Sequence, residues 1–136
     1  MAPQAGPMAR QIAGLQLKAQ FLSGDGAKSP EFIKLAGGAA EGVIASTPGV
    51  VLEQTPAGKA FAAKFEGKYG KIQNYAPYAY DATLTMIEAM KTAGSADPVK
   101  YLPFLAKTNR NGVIGPIAFD AKGDLTNGAV TLYQVK

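Results

Sequence analysis

Asp25 stands between Gly24 and Gly26, directly after the apolar run at residues 19–23. A carboxylate at the carboxyl end of a strand occupies the place where open α/β sheets take ligands. There it can accept several charge-assisted hydrogen bonds from an ammonium group. The same three residues also make a tight turn, which Gly and Asp both favour, and spacing alone leaves the two readings level. Tyr75, Tyr78 and Tyr80 gather at the start of a long apolar stretch. Rings in that setting pack into a core with their hydroxyls toward water. Asp120-x-Lys-x-Asp124 has some of the spacing of a calcium loop, but Lys122 replaces a ligand and no glutamate closes it, so a turn is expected. Gly24-x-Gly26 is too short for a dinucleotide fingerprint, and the chain has no Gly-Lys-Ser/Thr phosphate loop. Met86 and Met90 read as core filler.

What is missing narrows the chemistry further. The 136 residues include no Cys, His or Trp. That removes thiolate nucleophiles, disulfides, the Ser–His–Asp arrangement and the commonest transition-metal ligand. Carboxylates alone suit harder ions than zinc. No catalytic residue, metal or cofactor is expected, since an enzyme working through carboxylates such as Asp25 and Asp120 has no recognisable acid/base pair. The net charge is +4, and the 14 Lys and Arg are dispersed. Lys59, Lys64, Lys68 and Lys71 form a solvated helix face rather than the dense basic stripe of a nucleic-acid binder. Hydrophobic residues make up 47% and charged ones 18%, as in a folded globular domain. No apolar run approaches the roughly 20 residues of a membrane span. Residues 1–10 lack a signal peptide's charged start and apolar stretch, which leaves open a cytoplasmic chain or a mature segment.

The elements that must hold these residues alternate. Residues 4–15 carry Met8, Ile12 and Leu15 at helical spacing, with Pro7 acceptable only in a first turn. Residues 19–23 read as a buried strand. Ser29 caps a helix with Pro30 at its first position, and Gly37–Gly38 end it. Residues 42–46 form a second strand, parallel to the first. An irregular stretch at 50–58 precedes three helices. The first, 59–69, bears the stripe Phe61, Phe65 and Tyr69. The second, 75–93, opened by Asn74 or Pro77, is apolar on more than one side and should be largely buried. The third starts at Asp97–Pro98, with Pro103 inside it. Residues 113–119 and 129–135 are strands flanking a polar loop.

The block 112–124 (GVIGPIAFDAKGD) resembles the late hairpin of leucine/isoleucine/valine-binding proteins of ABC transporters. Four more segments resemble that family in the same order: Pro7-Met-Ala-Arg-Gln-Ile12 into Leu17-Lys-Ala-Gln-Phe21, Ser23-Gly-Asp-Gly26, Ala39-Ala-Glu-Gly-Val43 and Tyr78-Ala-Tyr-Asp-Ala82. The resemblance implies an α/β chain with part of the type I periplasmic-binding-protein fold, a short mostly parallel sheet with flanking helices and a C-terminal hairpin. It implies three segments: 1–47 in the second lobe, 48–111 as a helical part of the first lobe, and 112–136 returning to the second. The N-terminal half of a usual member has no counterpart here. Asp25 and Gly26 fall at the position of the family's partner for a ligand ammonium, and Tyr75 near a side-chain pocket. The implied ligand is a branched-chain or related amino acid, bound weakly or not at all by this stretch alone, and the implied partner is a transporter permease. The implied location is the periplasm. A self-paired or domain-swapped scaffold without ligand binding is the alternative, and a homo-oligomer is expected of the isolated chain. Neither nucleic acid nor a membrane span is expected.

Overall fold

The computed structural model describes residues 1–73 and 75–136. Asn74, one of the two expected openers of the long helix, lies outside the described residues. The chain divides into unit 1, Met1–Pro48 with Val130–Lys136, and unit 2, Gly49–Ala129. Residues 112–129 therefore group with unit 2, and only the last strand returns to unit 1.

Unit 1 begins with α1 (Ala2–Gly14), followed by β1 (Leu22–Ser23), a 3-10 turn (Asp25–Ala27), α2 (Pro30–Ala36) and β2 (Ile44–Pro48). α1 starts earlier than its periodicity suggested, so Pro7 falls inside the helix and Pro3 occupies the first turn. Its buried face is also rotated from the expected one, although Ile12 stays half-buried. Ala2, Ala5, Gly6 and Ala9 are buried, while Met8 and Leu15 are 51% and 70% exposed. Close packing on α2 is the cause: a Cβ on Gly6 would collide with Leu35, so only small residues fit that seam. α2 matches its sequence signals. The Phe32 N–H donates to Ser29 Oγ at 3.2 Å, Pro30 follows the cap, and Gly37 ends the helix at φ 58°.

β5 (Val130–Gln134) completes the sheet of unit 1, whose order is β1-β2-β5. β1 lies parallel to β2 with Leu22 opposite Ile44, as expected, though it is only two residues long. β5 joins antiparallel along all of β2, from Ile44–Gln134 to Pro48–Val130. The sheet is thus mixed rather than mostly parallel, because the longer of its two ladders is the antiparallel one. One face packs Ala45 and Val43 against Phe32, Ala36 and the α1 alanines. Alternation puts Leu22, Leu132 and Val130 on the other face, where they are 61%, 64% and 69% exposed.

Unit 2 opens with a 3-10 turn (Leu52–Gln54), then α3 (Pro56–Tyr69), α4 (Ala76–Ala93), α5 (Pro98–Leu105) and the two-stranded hairpin β3 (Asn109–Asn111) and β4 (Pro116–Ala118). Thr55 and Asp97 cap α3 and α5 by accepting from the N–H groups of Gly58 and Val99, each at 3.0 Å. The expected strand at 113–119 is instead a tight turn plus β4. β4 pairs with β3, whereas β5 pairs with β2, so the two late strands belong to different sheets and different units. α4 is not largely buried. Its inward stripe is Pro77, Asp81, Thr85 and Ala89, while Tyr80, Met86 and Ile87 are 45%, 40% and 39% exposed. Polar partners waiting on the hairpin turn the Asp81 face inward. Phe61, Phe65 and Tyr69 do form one stripe on α3, with successive ring centroids 5.5 and 5.1 Å apart. Among the described residues no helix is long and apolar enough to cross a membrane.

Candidate functional site

Asp25 is positioned by the end of β1. The chain leaves Ser23, runs extended through Gly24, and folds into the single 3-10 turn that Asp25 opens. Turn formation occupies the backbone: Lys28 N–H donates to the Asp25 carbonyl at 3.0 Å, and Ala27 N–H to Gly24 at 3.1 Å. Ala27 is buried in the unit 1 core and fixes the turn to the sheet. The Asp25 carboxylate is left half-buried at the carboxyl end of the parallel pair, without a hydrogen bond or ion pair among the described residues. The nearest cation along the chain is engaged elsewhere, since Lys28 Nζ lies 3.9 Å above the Tyr133 ring. Among the described residues no cation lies within ion-pair distance of the Asp25 carboxylate. A half-exposed acceptor of this kind suits an incoming ammonium, whose charge-assisted bonds replace those made to water.

Gly26 adjoins Asp25 in the turn, and its own surroundings give it a packing role. A Cβ there would come within 3.1 Å of the Met1 nitrogen and Cα, so the close approach of the α1 start favours glycine. Tyr75 belongs to unit 2. It precedes α4 at the cap position, is 56% exposed, and accepts the Ala79 N–H at 2.9 Å through its carbonyl. The three tyrosines have separate settings: Tyr80 stacks on Phe61 with centroids 5.0 Å apart, and Tyr78 is half-buried with its ring edge facing Gly49. Asp120 Oδ1 accepts the N–H groups of Lys122 and Asp124 at 2.8 and 3.0 Å, which is turn chemistry. Among the described residues no group of three or more acidic side chains could hold a metal ion.

Two features of unit 2 went unseen in the sequence. One is a groove of about 790 Å³ between α3 and α4, lined by Phe61, Phe65, Tyr69, Tyr80 and Val113 with Lys64 at its side. The other is a polar cluster around Asp81, which is 1% exposed. Asp81 Oδ2 accepts the Ile114 N–H at 2.9 Å, and Oδ1 lies 3.5 Å from Arg110 Nη1, within ion-pair range but outside hydrogen-bonding geometry. Arg110 also reaches Thr85 Oγ1 at 3.3 Å and Glu88 Oε2 at 3.2 Å. The positions 81, 85 and 88 share a helix face, which was the available signal.

A mixed sheet flanked by helices, with a helical unit inserted before the last strand, makes up an α/β architecture. The family model for periplasmic binding proteins matches residues 3–136, and the chain belongs to that family. Its fold is part of the type I periplasmic-binding-protein fold. A Leu/Ile/Val-binding protein homolog 2 of Brucella abortus is 37% identical over 133 residues, covering 97% of this chain and 36% of that protein. The leucine-, isoleucine-, valine-, threonine-, and alanine-binding protein of Pseudomonas aeruginosa is 32% identical, covering 97% of this chain and 35% of its own length. A crystal structure of the leucine-binding protein LivK from Thermotoga maritima superposes with a TM-score of 0.85 at 33% identity, over 99% of this chain and 39% of that one. The chain thus spans about a third of the curated relatives it matches.

Proposed function

We propose that the chain is the ligand-contacting part of an ABC-transporter solute-binding protein for a branched-chain or related amino acid, in which Asp25 accepts the ligand's ammonium group. The observation that carries this reading is the Asp25 carboxylate itself, unpaired and half-buried at the carboxyl edge of a parallel strand pair. The relatives named above are amino-acid-binding proteins and not enzymes, which supports binding without catalysis. Gly26 shapes the turn, and Tyr75 contributes to the side-chain pocket. Unit 1 corresponds to the second lobe and the helices of unit 2 to the first. The whole protein works in the periplasm and delivers its ligand to a membrane permease. Binding by these 136 residues alone is weak, because one carboxylate supplies only the ammonium half of a clamp. Calorimetric titration with leucine, run beside Asp25→Ala, tests the reading. A heat that the substitution removes supports it, and equal heats from both proteins would exclude Asp25 as the contact.

A second reading rests on a different observation. The outer face of the unit 1 sheet exposes Leu22, Leu132 and Val130 side by side, and such faces are normally covered. A homo-oligomeric scaffold, self-paired or domain-swapped and without ligand, would bury them. Sedimentation separates the two: a monomer at micromolar concentration counts against the scaffold.

A further inference from the structure

The chain passes from unit 1 to unit 2 at Pro48–Gly49 and returns at Ala129–Val130. On the unit 2 side these passages are tied by two backbone bonds. Gly49 N–H donates to the Ala129 carbonyl at 2.7 Å, and Val50 N–H to the Ile114 carbonyl at 3.4 Å. Gly49 sits at φ 84°, a conformation that other residues adopt only under strain, with Ile114 and the Tyr78 ring 3.4 Å from where a Cβ would be. Ile114 is therefore the point at which unit 2 holds its own first residues.

Ile114 is itself held by one side chain. The turn between β3 and β4 is closed by Gly112 N–H donating to the Gly115 carbonyl at 2.9 Å. Asp81 Oδ2 accepts the Ile114 N–H from below, and Arg110, at the near end of the hairpin, faces Oδ1. Gly112 has to be glycine because a Cβ there would overlap the Asp81 carboxylate. We infer that Asp81 is the fastener of the chain passage: by holding the 112–115 turn, it fixes the backbone at Gly49–Val50 through which unit 2 is attached. A buried carboxylate accepting a backbone N–H suits that task, because losing it leaves the N–H with no partner away from water. The assignment is independent of what Asp25 binds.

Amide hydrogen exchange on the 136-residue chain tests it. In the unaltered protein the amides of Ile114 and Val50 should open together with one common protection, as members of a single cooperative unit. Asp81→Ala, which removes the acceptor, should speed both by about tenfold or more and leave the Phe32 amide of unit 1 unchanged. Gly112→Ala should do the same by displacing the carboxylate without removing its charge. Faster exchange at Ile114 with Val50 untouched would overturn the inference, as would unrelated protections of the two amides in the unaltered chain, a measurement that needs no variant to fold.

Discussion

In unit 1, Asp25 lies half-exposed on a three-residue turn with its carboxylate unpaired, whereas in unit 2 Asp81 is 1% exposed between Ile114 and Arg110. The surroundings of the two acids differ as much as their partners. Unit 1 holds itself together with alanines packed around Phe32, and needs no charge inside. Unit 2 has few buried apolar side chains, and turns the polar stripe of α4 inward instead. The contrast separates two uses of one side chain. Where the apolar core is sufficient, a carboxylate at a strand end is left without an internal partner. Where the core is thin, the carboxylate is consumed in joining a helix to a hairpin.

That contrast can be broken from either side. Phe32→Ala removes the centre of the unit 1 core and should cost about 3–5 kcal/mol in urea unfolding, the largest effect expected of a single truncation. Asp81→Ala should cost about 3 kcal/mol, since it leaves the Ile114 N–H without its acceptor and takes from Arg110 the buried one of its two carboxylates. If Asp81→Ala instead proved nearly neutral, unit 2 would not depend on its polar centre. Ser29→Ala removes the α2 cap and should lower the unfolding free energy by about 1 kcal/mol. Asp25→Ala should change stability by no more than about 0.5 kcal/mol, because the carboxylate has no partner to lose. An unfolding midpoint that drops sharply for Asp25→Ala would make it a second structural acid and erase the distinction.

Local chemistry was readable from sequence where it is self-contained. Ser29-Pro30 and Asp97-Pro98 start helices in the structure, and residues 19–23 and 42–46 announce a parallel pair whose strands form at 22–23 and 44–48. The errors share a cause: which side of a helix faces inward is decided by its neighbour. α1 hides Ala5 and Ala9 instead of Met8 and Leu15 because α2 comes too close for larger groups. α4 hides Asp81 because β3 supplies Arg110, a partner 29 residues further along the chain. Similarly, the late strands looked like neighbours flanking one loop, yet their hydrogen-bonding partners lie in separate sheets. Asp25 was legible as a candidate from its glycines. That its carboxylate is left unpaired could be learned only from the fold, which sends Lys28 to Tyr133.

The pairing of β5 with β2 also joins distant parts of the chain. Gln134 bonds to the Gly42 carbonyl across 92 residues, and all of unit 2 is translated in between. Closing a loop of that length costs about 4 kcal/mol in chain entropy if the intervening residues are disordered. Unit 2 is one continuous stretch, and its folding shortens that loop. The antiparallel ladder of the sheet beneath Asp25 therefore closes at least entropic cost once unit 2 is folded, which links the support of the acidic turn to the Asp81 cluster.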